Sequence, residues 1–392
     1  PAPFPPFFLN GQPLPMCLDA AYLGAMLTSD SPDLLQPHAE SQALKSRAVA
    51  GRIFSLRNDI GSVPVVDGIQ FYKSLVDPYL SYACEISPDV SDALLGPLAT
   101  AQHNYLRRLL GVNSFAPVCL LFSETGLWPL LFRRLELCLR YLQFLLSLGP
   151  ERPAFQALSS SLTLWRTRPQ RRGWFRDLMS MCTRAGLSVQ LDVSLLSIEH
   201  IDAVRSSIRP AMRNFQGAAA AELTKISLMK NFLDVESCRA IRNCQAHDFS
   251  PRLRSYLSLP DFNHRVALTR LLFSSHSLAV EELRYPIRGH PRLPRDLRLC
   301  RFCRSTVETE CHALLGCMAD DQLCLLRRDF LHAAIAVDAA ILHPFARANL
   351  EYLLRSLLNN EFLLPATASY VYSVFRRFKQ VPIFLAPVPL PS

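Results

Sequence analysis

The sequence predicts a mostly α-helical protein with a short N-terminal β-hairpin, a small zinc-bound module and C-terminal helices. Three observations lead there. Apolar residues recur at helical spacing over much of the 392-residue chain. Asn10-Gly11, the strongest short hairpin signal, lies beside apolar runs. Cys300, Cys303, His312 and Cys317 stand at metal-ligand spacing.

Residues 7–28 read as a small strand pair, with Phe7-Phe-Leu before the Asn-Gly turn and Tyr22-Leu-Gly-Ala-Met-Leu27 as the second apolar run. From Gln42 to Arg57, Leu44, Ala48, Ile53 and Phe54 fall on or near one helical face. Ile69 to Ala83 gives a further helix, broken near Pro78. Residues 91–111 form a helix stopped by Gly111, with Arg107 and Arg108 in its last turn, where cations complement the helix end. Residues 129–147 form a strongly apolar helix with Arg133, Arg134 and Arg140 on its wet side.

After Gly149-Pro150 the character shifts to Pro, Ser and an arginine cluster from Arg166 to Arg176, interleaved with Trp165 and Trp174. Residues 198–245 read as helical, and Ser250-Pro251 and Leu259-Pro260 mark a boundary. A helix over 262–283 leads into the basic stretch before the cysteines. Helices follow over 323–336, 344–359 and 366–379, and the Pro-rich tail 382–392 is expected to fray. No repeat of fixed period is visible. The domain limits expected are 1–30, 31–149, 150–260, 261–330 and 331–392.

Hydrophobic residues make up 49% of the chain, too many for a disordered tail. No apolar run approaches the roughly 20 residues of a membrane span. No charged segment leads into an apolar one, so no signal peptide is expected. The start Pro1-Ala-Pro-Phe-Pro-Pro suggests a piece of a longer chain. The net charge is +9, and arginine outnumbers lysine several-fold. Arginine's planar fork suits phosphate, which makes RNA or DNA the expected partner. GC-rich coding explains the arginine equally simply. Of 12 cysteines only four cluster with a histidine. The others read as buried free thiols in a reducing, intracellular compartment.

The ligand spacing is Cys300-x2-Cys303-x8-His312-x4-Cys317. Two cysteines separated by two residues can face one ion from a tight turn, and the His/Cys pair can meet it from a short helix. Three thiolates and one imidazole close a tetrahedral shell, which is structural zinc chemistry with no open position for hydrolysis. Cys311 competes with His312, but adjacent side chains diverge, so it is read as a core residue. The bland alternative is chance clustering of thiols. Around the site lie Arg284, Arg288, Arg292, Arg295, Arg298, Arg301 and Arg304, with Asp296 the only acid between the first and last of them. This predicts a salt-sensitive clamp on phosphates. The alternative is a solvated charged loop.

Together these residues resemble a known pattern. Arg298-Leu-Cys-Arg-Phe-Cys-Arg, then Val307-Glu-Thr-Glu-Cys-His and Leu315-Gly-Cys, is similar to the zinc-binding segment that follows the reverse transcriptase of LINE-type (non-LTR) retrotransposons. Ser275-His-Ser-Leu with Glu281 and Arg284 resembles its lead-in. Tyr22-Leu-Gly resembles the strand after the palm active site, and Pro78-Tyr-Leu-Ser-Tyr-Ala-Cys-Glu85 a thumb segment. Gln102-His-Asn-Tyr-Leu-Arg-Arg-Leu-Leu-Gly111 and Glu124-Thr-Gly-Leu-Trp-Pro-Leu130 resemble the next two landmarks. The likeness covers roughly residues 7–150 and 262–320.

The resemblance implies the C-terminal part of an RNA-directed DNA polymerase: palm end, helical thumb and zinc module, in the nucleus. The palm's paired aspartates, which hold two Mg2+ ions about 4 Å apart, are missing before Tyr22. Asp320-Asp321 is the only adjacent aspartate pair, and it reads as a helix start. No catalytic residue is therefore expected in this chain. Arg107, Arg108, Arg133 and Arg134 would track a template–primer backbone. Trp165 or Trp174 would stack on bases or pack in the core. The competing reading is a decayed or host-adopted remnant serving as a zinc-stabilised protein-interaction scaffold.

Overall fold

The computed structural model describes residues 7–14, 16–31, 33–230, 249–286, 291–342 and 349–386. It is mostly helical, as the sequence predicts. Two compact units share the chain. One takes Pro1–Ile53, Tyr72–Gln102 and Pro129–Ile208; the other takes Phe54–Phe71, His103–Trp128 and Arg209–Ser392.

The first unit opens with two hairpins where the sequence suggested one strand pair. β1 (Phe8–Leu9) pairs antiparallel with β2 (Gln12–Pro13) around Asn10-Gly11, both at positive φ. β3 (Asp19–Tyr22) pairs with β4 (Ala25–Thr28) around Leu23-Gly24. Leu23 is a poor left-handed residue, which is why the second turn carries no sequence signal. The Tyr82 hydroxyl donates to the Leu23 carbonyl at 2.6 Å and fastens this turn.

α1 (Gln36–Ser55) starts six residues before the expected position. Pro37 lies in its first turn, where a missing N–H is tolerated. α2 (Arg57–Ile60) and α3 (Val65–Phe71) belong to the second unit. The expected break near Pro78 takes a specific form: a π-helical turn over Tyr72–Val76, after which α4 (Asp77–Ser81) restarts with Pro78 in its first turn.

α5 (Asp92–Leu110) ends as predicted. The N–H of Val112 bonds the Arg107 carbonyl, and that of Gly111 bonds Arg108, a paired closure that needs Gly111 at φ 70°. α6 (Val118–Thr125) follows in the second unit. In the first unit, α7 (Leu130–Ser147), α8 (Pro153–Thr167), α9 (Trp174–Arg184) and α10 (Ile198–Ser206) bury Leu135, Leu139, Phe175, Met181 and Ile201 together. The helix expected over 129–147 carries a correction. Arg134 does not face water; it is buried and grips Asp89 through two bonds of 2.6 and 2.9 Å. Trp165 and Trp174 are half-buried and pack against neighbouring residues. The Trp174 indole donates to the Glu85 carbonyl at 2.7 Å, and Trp165 meets Phe175 edge-on.

The second unit continues with α11 (Ile208–Ala221) and α12 (Ser227–Lys230). Residues 231–245, the end of the stretch expected to be helical over 198–245, lie outside the described residues. α13 (Phe262–Leu272) begins at the expected Pro260 boundary, with Asp261 capping the His264 N–H at 2.8 Å. After α14 (Ala279–Glu282) comes the cysteine segment, then α15 (Asp321–Val337), α16 (Leu350–Asn359) and α17 (Leu364–Lys379). α17 packs against α13 and α15, and Phe330 stacks on Tyr370 at 4.3 Å. Among the described residues, no helix is long and apolar enough to cross a membrane.

Candidate metal centre

The cysteine pair is presented by a tight antiparallel turn. Leu299 bridges Val307, and the N–H of Cys300 donates to the Thr306 carbonyl at 2.8 Å. The chain reverses through Arg304, which sits at φ 53°. The second pair comes from a π-helical turn, His312–Gly316, closed by the Cys317 N–H on the His312 carbonyl at 2.7 Å. In an α-helix, residues five apart point about 140° away from each other. The wider π-turn brings His312 and Cys317 to one side.

The four side chains converge, with all ligand atoms within 4.8 Å of one another. Cys300 Sγ lies 3.8 Å from Cys317 Sγ, and Cys303 Sγ lies 3.5 Å from His312 Nε2. A tetrahedral ion with bonds of about 2.3 Å to sulfur and about 2.0 Å to nitrogen sets sulfurs about 3.8 Å apart and sulfur and nitrogen about 3.5 Å apart. The cluster therefore fits a four-coordinate metal ion and is compatible with structural zinc. The sulfurs are too far apart for a disulfide, and the cysteines are free. Cys311 lies outside the converging set, as its neighbour's direction predicted.

The electrostatics suit a cation. Burial and the neighbouring Cys317 sulfur push the Cys300 thiol well up, because two thiolates in contact repel. Burial also pushes the Cys303 thiol up, but hydrogen bonds from Ser305 and the Thr306 N–H outweigh it and bring it down to about 7. Burial, with Arg327 nearby, holds the His312 imidazole below its ordinary value, so the ring favours the neutral, ligating form.

Two residues that spacing alone did not single out organise the turn. Glu308, fully buried, accepts from the Arg301 N–H at 2.8 Å, the Ala279 N–H at 2.7 Å and the Arg301 guanidinium. Arg327 donates to the carbonyls of Cys317 at 2.8 Å and Leu314 at 3.0 Å, fixing the π-turn. Glu308 lies in the stretch Val307-Glu-Thr-Glu-Cys-His, but no ligand spacing marks it. Its role depends on Ala279, which is distant in sequence.

The predicted phosphate-binding arginines separate into distinct groups. Arg301 and Arg298 are buried. Arg301 donates to the carbonyls of Phe378, Val381 and Ser277, and Arg298 to those of Leu293 and Val280. With Arg134, these three correct the expectation of an outward clamp, since their donors are committed inside the protein. Arg284 pairs with Glu281 at 2.8 Å and Arg133 with Asp77 at 3.1 Å. Arg107 donates to the Ala116 carbonyl, and Arg108 lies over Phe54. Arg292, Arg295 and Arg304 are exposed, Arg304 lying over Phe384 at 5.0 Å. Arg288 lies outside the described residues.

Asp320 caps α15 through the Leu323 N–H at 3.0 Å and pairs with Arg377 at 2.6 Å. The adjacent aspartate pair thus starts a helix, as its sequence position suggested. No family model, curated protein or solved structure matches the chain.

Proposed function

We propose that this chain is the nucleic-acid-gripping C-terminal part of a retrotransposon RNA-directed DNA polymerase, with Zn2+ in the Cys300, Cys303, His312, Cys317 centre. What supports the reading is a Cys/His cluster able to hold a metal ion, with Arg292, Arg295 and Arg304 exposed in the flanking sequence, in a chain whose motifs resemble those of that family in their order. In this reading the module holds RNA or DNA in the nucleus. The chemistry, with its Mg2+ ions, belongs to a palm whose aspartates this sequence lacks.

The test is retention of RNA and DNA by the full chain at low salt. Binding should weaken steeply as salt rises, and Arg292→Glu with Arg295→Glu and Arg304→Glu should reduce that salt dependence. Primer extension with Mg2+ should yield no product; metal-dependent synthesis would overturn the division of labour.

A second reading has its own support. Arg298 and Arg301 use their guanidiniums to tie chain segments together, which suits a zinc-stabilised scaffold for protein contacts. Failure to retain nucleic acid at low salt, with the metal present, selects this reading.

A further inference from the structure

The second unit contains a cleft of ≈ 820 Å³ that the metal centre does not use. Its walls combine two chemistries. One is aromatic: Phe115 and Tyr285 stack at 4.4 Å with planes 20° apart. Tyr285 covers one face of Phe115, yet Phe115 remains 57% exposed, which leaves its other face open.

The second chemistry is cationic. Arg270, Arg376 and Lys379 line the cleft, and none pairs with a carboxylate among the described residues. Arg270 is oriented by its Nε bond to the Gly111 carbonyl at 2.7 Å, and Arg376 lies over the Tyr372 ring at 5.7 Å. Lys225, also lining the cleft, donates to the Phe115 carbonyl and holds that residue's backbone in place. Of the two acids among the described residues of the wall, Glu281 is neutralised by Arg284 at 2.8 Å. Among the described lining residues Glu282 then opposes the cations, which leaves this lining net positive.

An open aromatic face beside unpaired cations matches a ligand that carries a planar base and a phosphate on one backbone. An acidic peptide would use the cations but has no need of the stacked rings. We propose that this cleft binds single-stranded nucleic acid, with a base stacked on the open face of Phe115 and backbone phosphates along Arg270, Arg376 and Lys379. The proposal rests on the nucleic-acid reading above and assigns it a second contact surface, separate from the arginines of the metal turn.

The experiment is anisotropy of a short fluorescein-labelled uridine oligomer with the full zinc-loaded chain, paired with crosslinking of a 5-iodouridine oligomer read by mass spectrometry. Phe115→Ala should weaken binding by about tenfold, and Phe115→Trp should restore it, because stacking needs a ring and not that ring alone. Arg376→Glu with Lys379→Glu should weaken it further and flatten the salt dependence. Crosslinks should map to Phe115 or Tyr285. Phe115→Ala is checked by its melt, and Phe115→Trp keeps the test decisive if alanine unfolds the chain. Unchanged affinity in the cleft variants, with loss on Arg292→Glu and Arg295→Glu, overturns the cleft and leaves the grip standing. Uridine monophosphate displacing the oligomer at equal concentration overturns the strand assignment. No binding by the unmodified chain at low salt overturns both.

Discussion

Arg301 and Glu308 form an ion pair 2.8 Å apart, with side chains 3% and 0% exposed, inside the turn that presents the candidate metal ligands. The same guanidinium reaches the carbonyls of Phe378 and Val381 at the end of α17. One side chain thus ties the metal turn to the last helix. Breaking a buried pair from one side leaves a charge without a partner, which costs about 3–5 kcal/mol. Arg301→Ala and Glu308→Ala should each lower unfolding stability by that order in denaturant titrations. A loss below about 1 kcal/mol would contradict the role assigned to the pair.

Metal removal should act through the same connection. Elemental analysis should find zinc in protein prepared without chelator. Chelation, or Cys303→Ser, should lower the melting temperature, because binding free energy at such a site is folding free energy. Hydrogen exchange should also rise at the end of α17, since Arg301 joins it to the turn. A native-like melt in Cys303→Ser would count against the centre.

The arginines should divide by burial when binding is measured against salt. Arg134 is held by Asp89 and the Leu80 carbonyl, so Arg134→Lys should destabilise the fold and leave the salt slope unchanged. Removing exposed Arg292 or Arg295 should leave stability within about 0.5 kcal/mol and lower the slope by about 0.9 for each lost phosphate contact. The opposite pattern would mean that the structure assigns the wrong arginines to the interior.

Glu136 provides a pH signature in the first unit. Burial pushes its carboxyl up, but Arg205 at 2.6 Å and Arg140 at 2.9 Å outweigh this and hold it below the ordinary value. A carboxyl depressed in the folded state stabilises it fully above the unfolded value of about 4.3, and the contribution fades as pH falls through the folded value. The stability gap between the native chain and Glu136→Gln should therefore be largest above about pH 5 and shrink toward pH 3. A gap constant over that range would show that the pairing does not set the acid response.

By itself, the sequence determined the helical class, the Asn10-Gly11 turn, the Gly111 stop and the four residues that converge as a candidate metal site. Each depends on chemistry within a few residues: backbone freedom at glycine, periodicity on one face, and thiol spacing around one ion. The second hairpin was less legible, because Leu23 adopts a turn conformation its type disfavours and Tyr82, far along the chain, secures it. Only the tertiary structure decided which arginines face water. Charge composition is the same whether a guanidinium meets solvent or a buried carboxylate. Arg134, Arg298 and Arg301 are turned inward by Asp89, Val280 and Glu308, and Asp89 and Val280 lie 45 and 18 residues away. The structure likewise brought Phe115 and Tyr285 into one cleft, a pairing across segments that no local pattern announces.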